Sequence, residues 1–376
     1  MSVTIKKGLV RTGDANWVIS HFDLVELDPL MWSEAMAAAI KAAKPEAIVL
    51  GYLDSIGAKV TDSDWATINA NESWFVHTSG GARITHTIFN FYLMDPASSG
   101  WRSHYISQRV NPYMTASFNG LFADDVWNQV SSYLDVLSGS PTAAKIASWH
   151  NDMKGFLTYA NANITSGKLV LANSDEWDTN DYIVLVDGQM LESFIHAEWT
   201  STLSVSDGLT WVNRLVSKCG TGKIVWAHSG TAYDGTSEQR AAMLKFCYAG
   251  FLLGFNDASF WGFNSWGGDD GAKGYYSLMD TALGLATGSY YAEQNVYMRN
   301  FTGGRALFNP SANTYVINLG GVYKLLDGTP VSSVTMYAYS GEIVLNTITW
   351  AKVMGVSSLA KVSGVNIEDV ESIMGV

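Results

Sequence analysis

With 376 residues, the chain has room for one barrel of roughly 250 to 300 residues and a smaller appended domain. A formal net charge of −12 without a Lys- or Arg-rich stripe argues against a polyanionic partner such as nucleic acid and leaves a neutral or weakly charged ligand. The two cysteines, Cys219 and Cys247, fit neither a disulfide framework nor a metal knuckle; the start of the chain does not read as a secretory signal, and no run approaches the roughly 18 apolar residues of a membrane span.

Short apolar runs alternate with stretches of helical periodicity, the pattern of repeated βα units around a parallel sheet. Strands are predicted at 18–27, 47–54, 88–95, 120–124, 168–173, 183–192, 223–228 and 258–263. Helices are predicted at 30–43 (halted by Pro45), 101–110, 141–162, 206–218 (capped by Ser206 or Asp207, closed by Gly220) and 237–253, with a closing helix at 275–285. The long excursion 58–87 carries Gly80-Gly81, which predicts a hairpin inside a functional loop. Beyond Tyr290 the texture changes to short alternating strands, divided by turns at Gly303-Gly304, Gly320-Gly321, Asp327-Gly328 and Ser340-Gly341. Three near-copies of one pattern, ending in Gly355-Val, Gly364-Val and Gly375-Val, read as short helical turns. The expected fold is therefore α/β: a (β/α)8 TIM barrel over 1–288, a small C-terminal antiparallel β-sandwich over 289–348, and a tail over 349–376.

Two segments share one pattern. Asn119-Gly-Leu-Phe-Ala-Asp124 and Asp187-Gly-Gln-Met-Leu-Glu192 each run from a polar-Gly pair through three residues into a carboxylate. Active groups of such barrels stand at the carboxyl ends of the strands, so two acids delivered to one mouth predict glycoside cleavage: one protonates the leaving oxygen while the other attacks the anomeric carbon or activates water. Strand alternation places Gly120, Phe122 and Asp124 on one face and Asp125 on the other; Gly188, Met190 and Glu192 likewise share a face. The two acids then converge across the strand at 168–173. Asp125 is expected in a supporting, loop-capping role. Asp54, Asp95, Glu176, His228 and Asn264 also follow apolar runs and are assigned to substrate hydroxyls. Of 14 Trp only Trp350 lies beyond residue 300, and Trp127, Trp177, Trp226, Trp261 and Trp266 sit at or just after strand ends where a sugar's C–H face could stack on them.

The passages Tyr92-Leu-Met-Asp95-Pro96 with Gly100-Trp101-Arg102, Asn119 to Asp125, Asp187 to Glu192, and Val296-Tyr-Met-Arg299-Asn-Phe301 with Asn309-Pro310 resemble a hypothetical glycoside-hydrolase-like family of barrel proteins, over most of residues 16–348. They are also similar to a clan of retaining glycosidases with an Asp nucleophile on strand four, an acid/base on strand six and a β-sandwich behind the barrel. The resemblance implies Asp124 as nucleophile and Glu192 as acid/base, the latter standing where that clan commonly has Asp. It implies a poly- or oligosaccharide substrate and no cofactor. The tail resembles Gly-Val hooks at the ends of phage structural proteins, which implies assembly into a virion or on a cell surface and an extracellular or virion-associated site. A non-catalytic carbohydrate-binding or structural barrel is the competing reading.

No zinc-protease, P-loop, dinucleotide or serine-hydrolase motif occurs. His77, His86 and His104 read as hydrogen-bonded structure and no metal is expected. A uronate lyase needs a cation in the cleft, for which Arg83 and Arg102 are the candidates.

Overall fold

A computed structural model describes residues 18, 20–27, 34–197, 207–230, 236–263 and 275–347, together with the backbone of 6–10, 264, 361–362 and 365–366. Eight parallel strands close into a barrel: β1 (Lys6–Val10), β2 (Leu24–Leu27), β3 (Ile48–Asp54), β4 (Gly120–Val126), β5 (Leu169–Ser174), β6 (Gly188–Leu191), β7 (Ile224–Gly230) and β8 (Ser259–Asn264). Each strand pairs with its neighbours in chain order and β1 closes the ring against β8. The strands are apolar on both faces, as a sheet covered inside and outside requires. Leu24, Leu50, Phe122, Leu171, Met190, Trp226 and Phe260 fill the lumen, while the alternate residues, such as Val49, Leu121, Val170, Leu191 and Val225, pack outward.

The main helices are α1 (Glu34–Ala43), α2 (Ala143–Asn163), α3 (Gly208–Cys219) and α4 (Ser237–Gly254). Local chemistry sets their starts: the Thr142 hydroxyl accepts from the Lys145 amide, and Thr236 with Gln239 forms a capping box. Asp207 precedes α3 without a side-chain cap, and the closing helix expected at 275–285 is only a 3-10 turn, Ser277–Asp280. No helix among the described residues is long and apolar enough to cross a membrane.

Two strand assignments change. The barrel opens with Lys6–Val10, not with 18–27, and residues 91–93 leave the barrel altogether. Phe91–Leu93 pairs antiparallel with 57–58 and 85–86 in a small sheet within the β3–β4 connection. One strand gained and one lost keep Asp124 at the end of the fourth strand and Glu192 just beyond the sixth. The expected hairpin is present: His77 bridges Arg83 across Gly81, whose φ of 82° is the left-handed conformation glycine favours.

Behind the barrel lie six antiparallel strands, β9 (Tyr291–Glu293), β10 (Val296–Phe301), β11 (Gly304–Asn309), β12 (Tyr315–Lys324), β13 (Pro330–Met336) and β14 (Ser340–Asn346), in the order β9-β10-β11-β14-β12-β13. Only Tyr323 and Lys324 of β12 pair with β14, so the sheet folds into two leaves over a core of Met298, Leu307, Ile317, Val334, Met336 and Val344. Gly320-Gly321 is a bulge inside β12 and Ser340-Gly341 lies within β14, so neither is a turn. The other leaf face packs on α4, where Phe246 stacks on Phe308 at 4.6 Å and Lys245 pairs with Glu342. Arg299 donates to the Leu252 and Phe255 carbonyls at the end of α4. In the tail, Lys361–Val362 pairs antiparallel with Val365–Asn366, a hairpin where a helical turn was expected; the other two Gly-Val copies lie outside the described residues.

Candidate active site

The two matching segments use their polar-Gly pairs in the same way. Asn119 Oδ1 accepts from the Val49 amide at 3.0 Å, and Asp187 Oδ2 accepts from the Val170 amide at 2.9 Å. Each side chain thus caps the preceding strand at the bottom of the barrel. The following glycine lets the next strand close in: a Cβ at Gly120 would stand 2.2 Å from the Leu169 carbonyl oxygen, and one at Gly188 would stand 2.7 Å from Ile224. From these anchors the inward parity runs Phe122 to Asp124 on β4 and Met190 to Glu192 on β6.

At the mouth the two carboxylates meet through Asn173 of β5, the strand between them. The Asn173 side-chain amide donates to Asp124 Oδ1 at 2.9 Å and to Glu192 Oε2 at 2.8 Å. The two acceptor oxygens are then at most about 5.7 Å apart, the sum of those lengths, and about 5 Å apart if the two N–H bonds diverge at the 120° of a planar amide. The Tyr52 hydroxyl donates to the other Asp124 oxygen at 2.6 Å. Both carboxylates keep partial exposure to solvent.

Asp54 pairs in register with Asp124 on the neighbouring strand, so the two acids share the inward face. Burial, then the Asp124 charge, pushes Asp54 up to about 7, against the Ile56 and Gly57 amides that favour its ionised form. Gly57 is essential to that cradle, because its Cβ would lie 1.9 Å from Asp54 Oδ2. Tyr52 is pushed well above the usual phenol range, by burial first and the Asp124 charge second.

Simple alternation fails at Asp125. The β4–β5 register shifts between Ala123 and Val126, and Asp125 takes a φ of 53°. This bulge brings Asp125 to the same mouth, where burial and then the Asp54 and Asp124 charges raise its carboxyl well above the ordinary range, while the Trp127 indole N–H donates to it at 3.0 Å. The segment after Glu192 is also strained, with Ser193 at φ 60° and Ile195 at 65°. Phe194 and Ile195 are buried there, and Gly250 of α4 makes room for the Ile195 side chain.

His228 lies on the inward face of β7, buried beside Trp226. The backbone of Asn264 ends β8 on the same rim, paired with Gly230; its side chain and Trp266 lie outside the described residues. Other expected contacts are elsewhere. Asp95 pairs with Lys145 of α2 and accepts from the Ala97 amide, because its strand belongs to the small sheet. Glu176 is buried against Lys218 at 2.9 Å, in an ion pair between the barrel and α3. Trp127 is 3% exposed beneath Tyr133, stacked at 4.0 Å. Trp226 fills the lumen, and Trp261 points outward onto Tyr248 and Phe251 of α4. None of these three rings offers a free face to a sugar. His77 meets Glu72, His104 meets Asp64, and His86 packs on Phe89 and Phe91. Arg83 pairs with Glu72, and Arg102 donates to the Pro96 and Asp152 carbonyls, so neither supplies the cation a lyase needs.

Sequence reasoning missed Asn173 and Tyr52. Both were signalled: each ends or interrupts an apolar run at the same inward parity as Asp124.

The model of "Hypothetical glycosyl hydrolase family 15" matches residues 41–305, well over half of the chain. The chain belongs to this family. That stretch contains β3 through β8 and the whole carboxylate cluster. No curated protein matches the chain. Among solved structures it is similar to a GH36 α-galactosidase, AgaA, of Geobacillus stearothermophilus, at 10% identity over 92% of this chain and 56% of that one, with a TM-score of 0.53. It is also similar to an Anoxybacillus α-amylase, at 11% identity over 89% of each chain and a TM-score of 0.51. The glycoside hydrolase domain of PelA from Pseudomonas aeruginosa aligns at 14% identity over 70% of this chain and 94% of that one, with a TM-score of 0.49. At these identities the likeness is one of fold.

Proposed function

We propose that the protein cleaves a glycosidic bond in a poly- or oligosaccharide by double displacement, with Asp124 as nucleophile and Glu192 as acid/base. The observation that carries this reading is the single amide held by both carboxylates, which keeps their oxygens under about 5.7 Å. Retaining enzymes need roughly 5 to 5.5 Å, whereas inversion leaves room for a water at about 6.5 to 9.5 Å. Asp124, with donors on both oxygens, is suited to act ionised. It attacks the anomeric carbon as the Glu192 proton passes to the leaving oxygen. Glu192 then takes a proton from water, which attacks the glycosyl ester and frees Asp124. Asp54, Asp125 and His228 line the mouth from which sugar hydroxyls would be held, with the backbone of Asn264 at the same rim.

Hydrolysis of a polysaccharide panel, with the anomer of the first product followed by proton NMR, tests the reading. We expect one glycan to be cleaved with retention, and Asp124→Asn and Glu192→Gln to lose that activity while still binding. Normal cleavage by both variants overturns the assignment, and an inverted first product overturns the mechanism.

A further inference from the structure

We propose that Asn173 is the positioning residue of the carboxylate pair: its one carboxamide sets the Asp124–Glu192 separation and couples their ionisation. The inference rests on the same pair read above as catalytic. Adjacent strands are about 4.8 Å apart, so acids carried two strands apart start roughly 10 Å from each other along the sheet. Asn173 stands on the strand between, which is hydrogen-bonded to both acid-bearing strands, and its two N–H groups reach one carboxylate each. Two like charges held this close repel, and a donor common to both offsets that repulsion. The choice of an amide matters. An ammonium or guanidinium here would hold both carboxylates ionised, whereas an uncharged donor favours the anions while leaving one of them able to take a proton. An amide also does not titrate, so the link persists at every working pH.

Among the described residues, the groups facing the pair include Tyr52 and Asp54 from β3, Asp125 and Tyr133 from β4 and its following loop, and His228 from β7. Tyr52 donates to Asp124, and Asp54 and Asp125 add negative charge. Removing the Asn173 donor takes one N–H from each carboxylate, and the proton affinity of both rises.

The test is a titration of the full chain carrying 13C-labelled Asp and Glu carboxyls, with Asp124→Asn and Glu192→Gln used to assign the two signals. Asn173→Ala is expected to raise the apparent midpoints of the pair by about one unit. Asn173→Leu, which nearly keeps the side-chain volume but has no donor and no charge, is expected to raise them as far and serves if the alanine variant folds poorly. Midpoints within about 0.3 unit of wild type in a folded variant overturn the inference, since a residue that merely fills space would not move them. No substrate enters this measurement. Moved midpoints without any glycan cleavage would sink the hydrolase reading alone; glycan cleavage with unmoved midpoints would sink the role of Asn173 alone.

Discussion

β4 and β6 begin alike and end differently. At the bottom of the barrel both use a polar side chain to cap the neighbouring strand and a glycine to admit the next one. At the top, β4 bulges and delivers two acids into a crowd of carboxylates, while β6 stops and hands Glu192 to a strained, buried loop. The shared half of the pattern is architecture and the divergent half is chemistry. The different roles proposed for Asp124 and Glu192 fall on this divergent half.

The sharpest way to break this comparison is to change the leaving group. With an aryl glycoside, whose phenolate departs without protonation, Glu192→Gln should recover most of its glycosylation rate, measured by the burst of released phenol. Asp124→Asn should stay down on the order of 10⁴-fold or more. Equal losses on both substrates would erase the functional difference between the strands.

A smaller effect sharpens the shared half. Gly120→Ala meets a backbone carbonyl that cannot give way and should cost about 3 kcal/mol in urea unfolding; Gly188→Ala meets chiefly the Ile224 Cβ and carbonyl and should cost about 2 kcal/mol. Neutral substitutions would remove the architectural reading of the motif.

A pH-dependent effect concerns the acids around β4. Burial and the Asp124 charge push the Asp54 carboxyl up to about 7 in the fold, against about 3.9 in an unfolded chain. Between those values the native state holds a proton that the unfolded state has released, so stability falls as pH rises through that window and levels off above it. Asp54→Asn removes the slope, and its melting temperature should gain steadily on wild type from pH 4 to 7. Parallel melting curves across that range would show that Asp54 is not held protonated.

Part of the carboxylate cluster was readable because the apolar runs ending at Asp54, Asp124 and Glu192 do lead to one mouth. What misled was composition without partner. Ile88 to Asp95 is as apolar as a barrel strand, but its hydrogen bonds go to a hairpin inside a loop, and Asp95 and the paired Lys145 left the mouth with it. The run at Lys6 was not predicted as a strand, although its backbone closes the ring. Tryptophans at strand ends looked alike in sequence; only packing separates Trp226 in the lumen from Trp261 under α4 and Trp127 under Tyr133.

Periodicity and turn chemistry, which are local, were enough to determine a parallel barrel with an antiparallel sheet behind it and to mark Asp124 and Glu192. The tertiary structure alone decided that Asn173 joins them, that a bulge turns Asp125 inward, and that burial pushes the Asp54 carboxyl up. Those three depend on distances between strands, on a single left-handed residue and on burial among like charges, and none of these is a property of a short stretch of sequence.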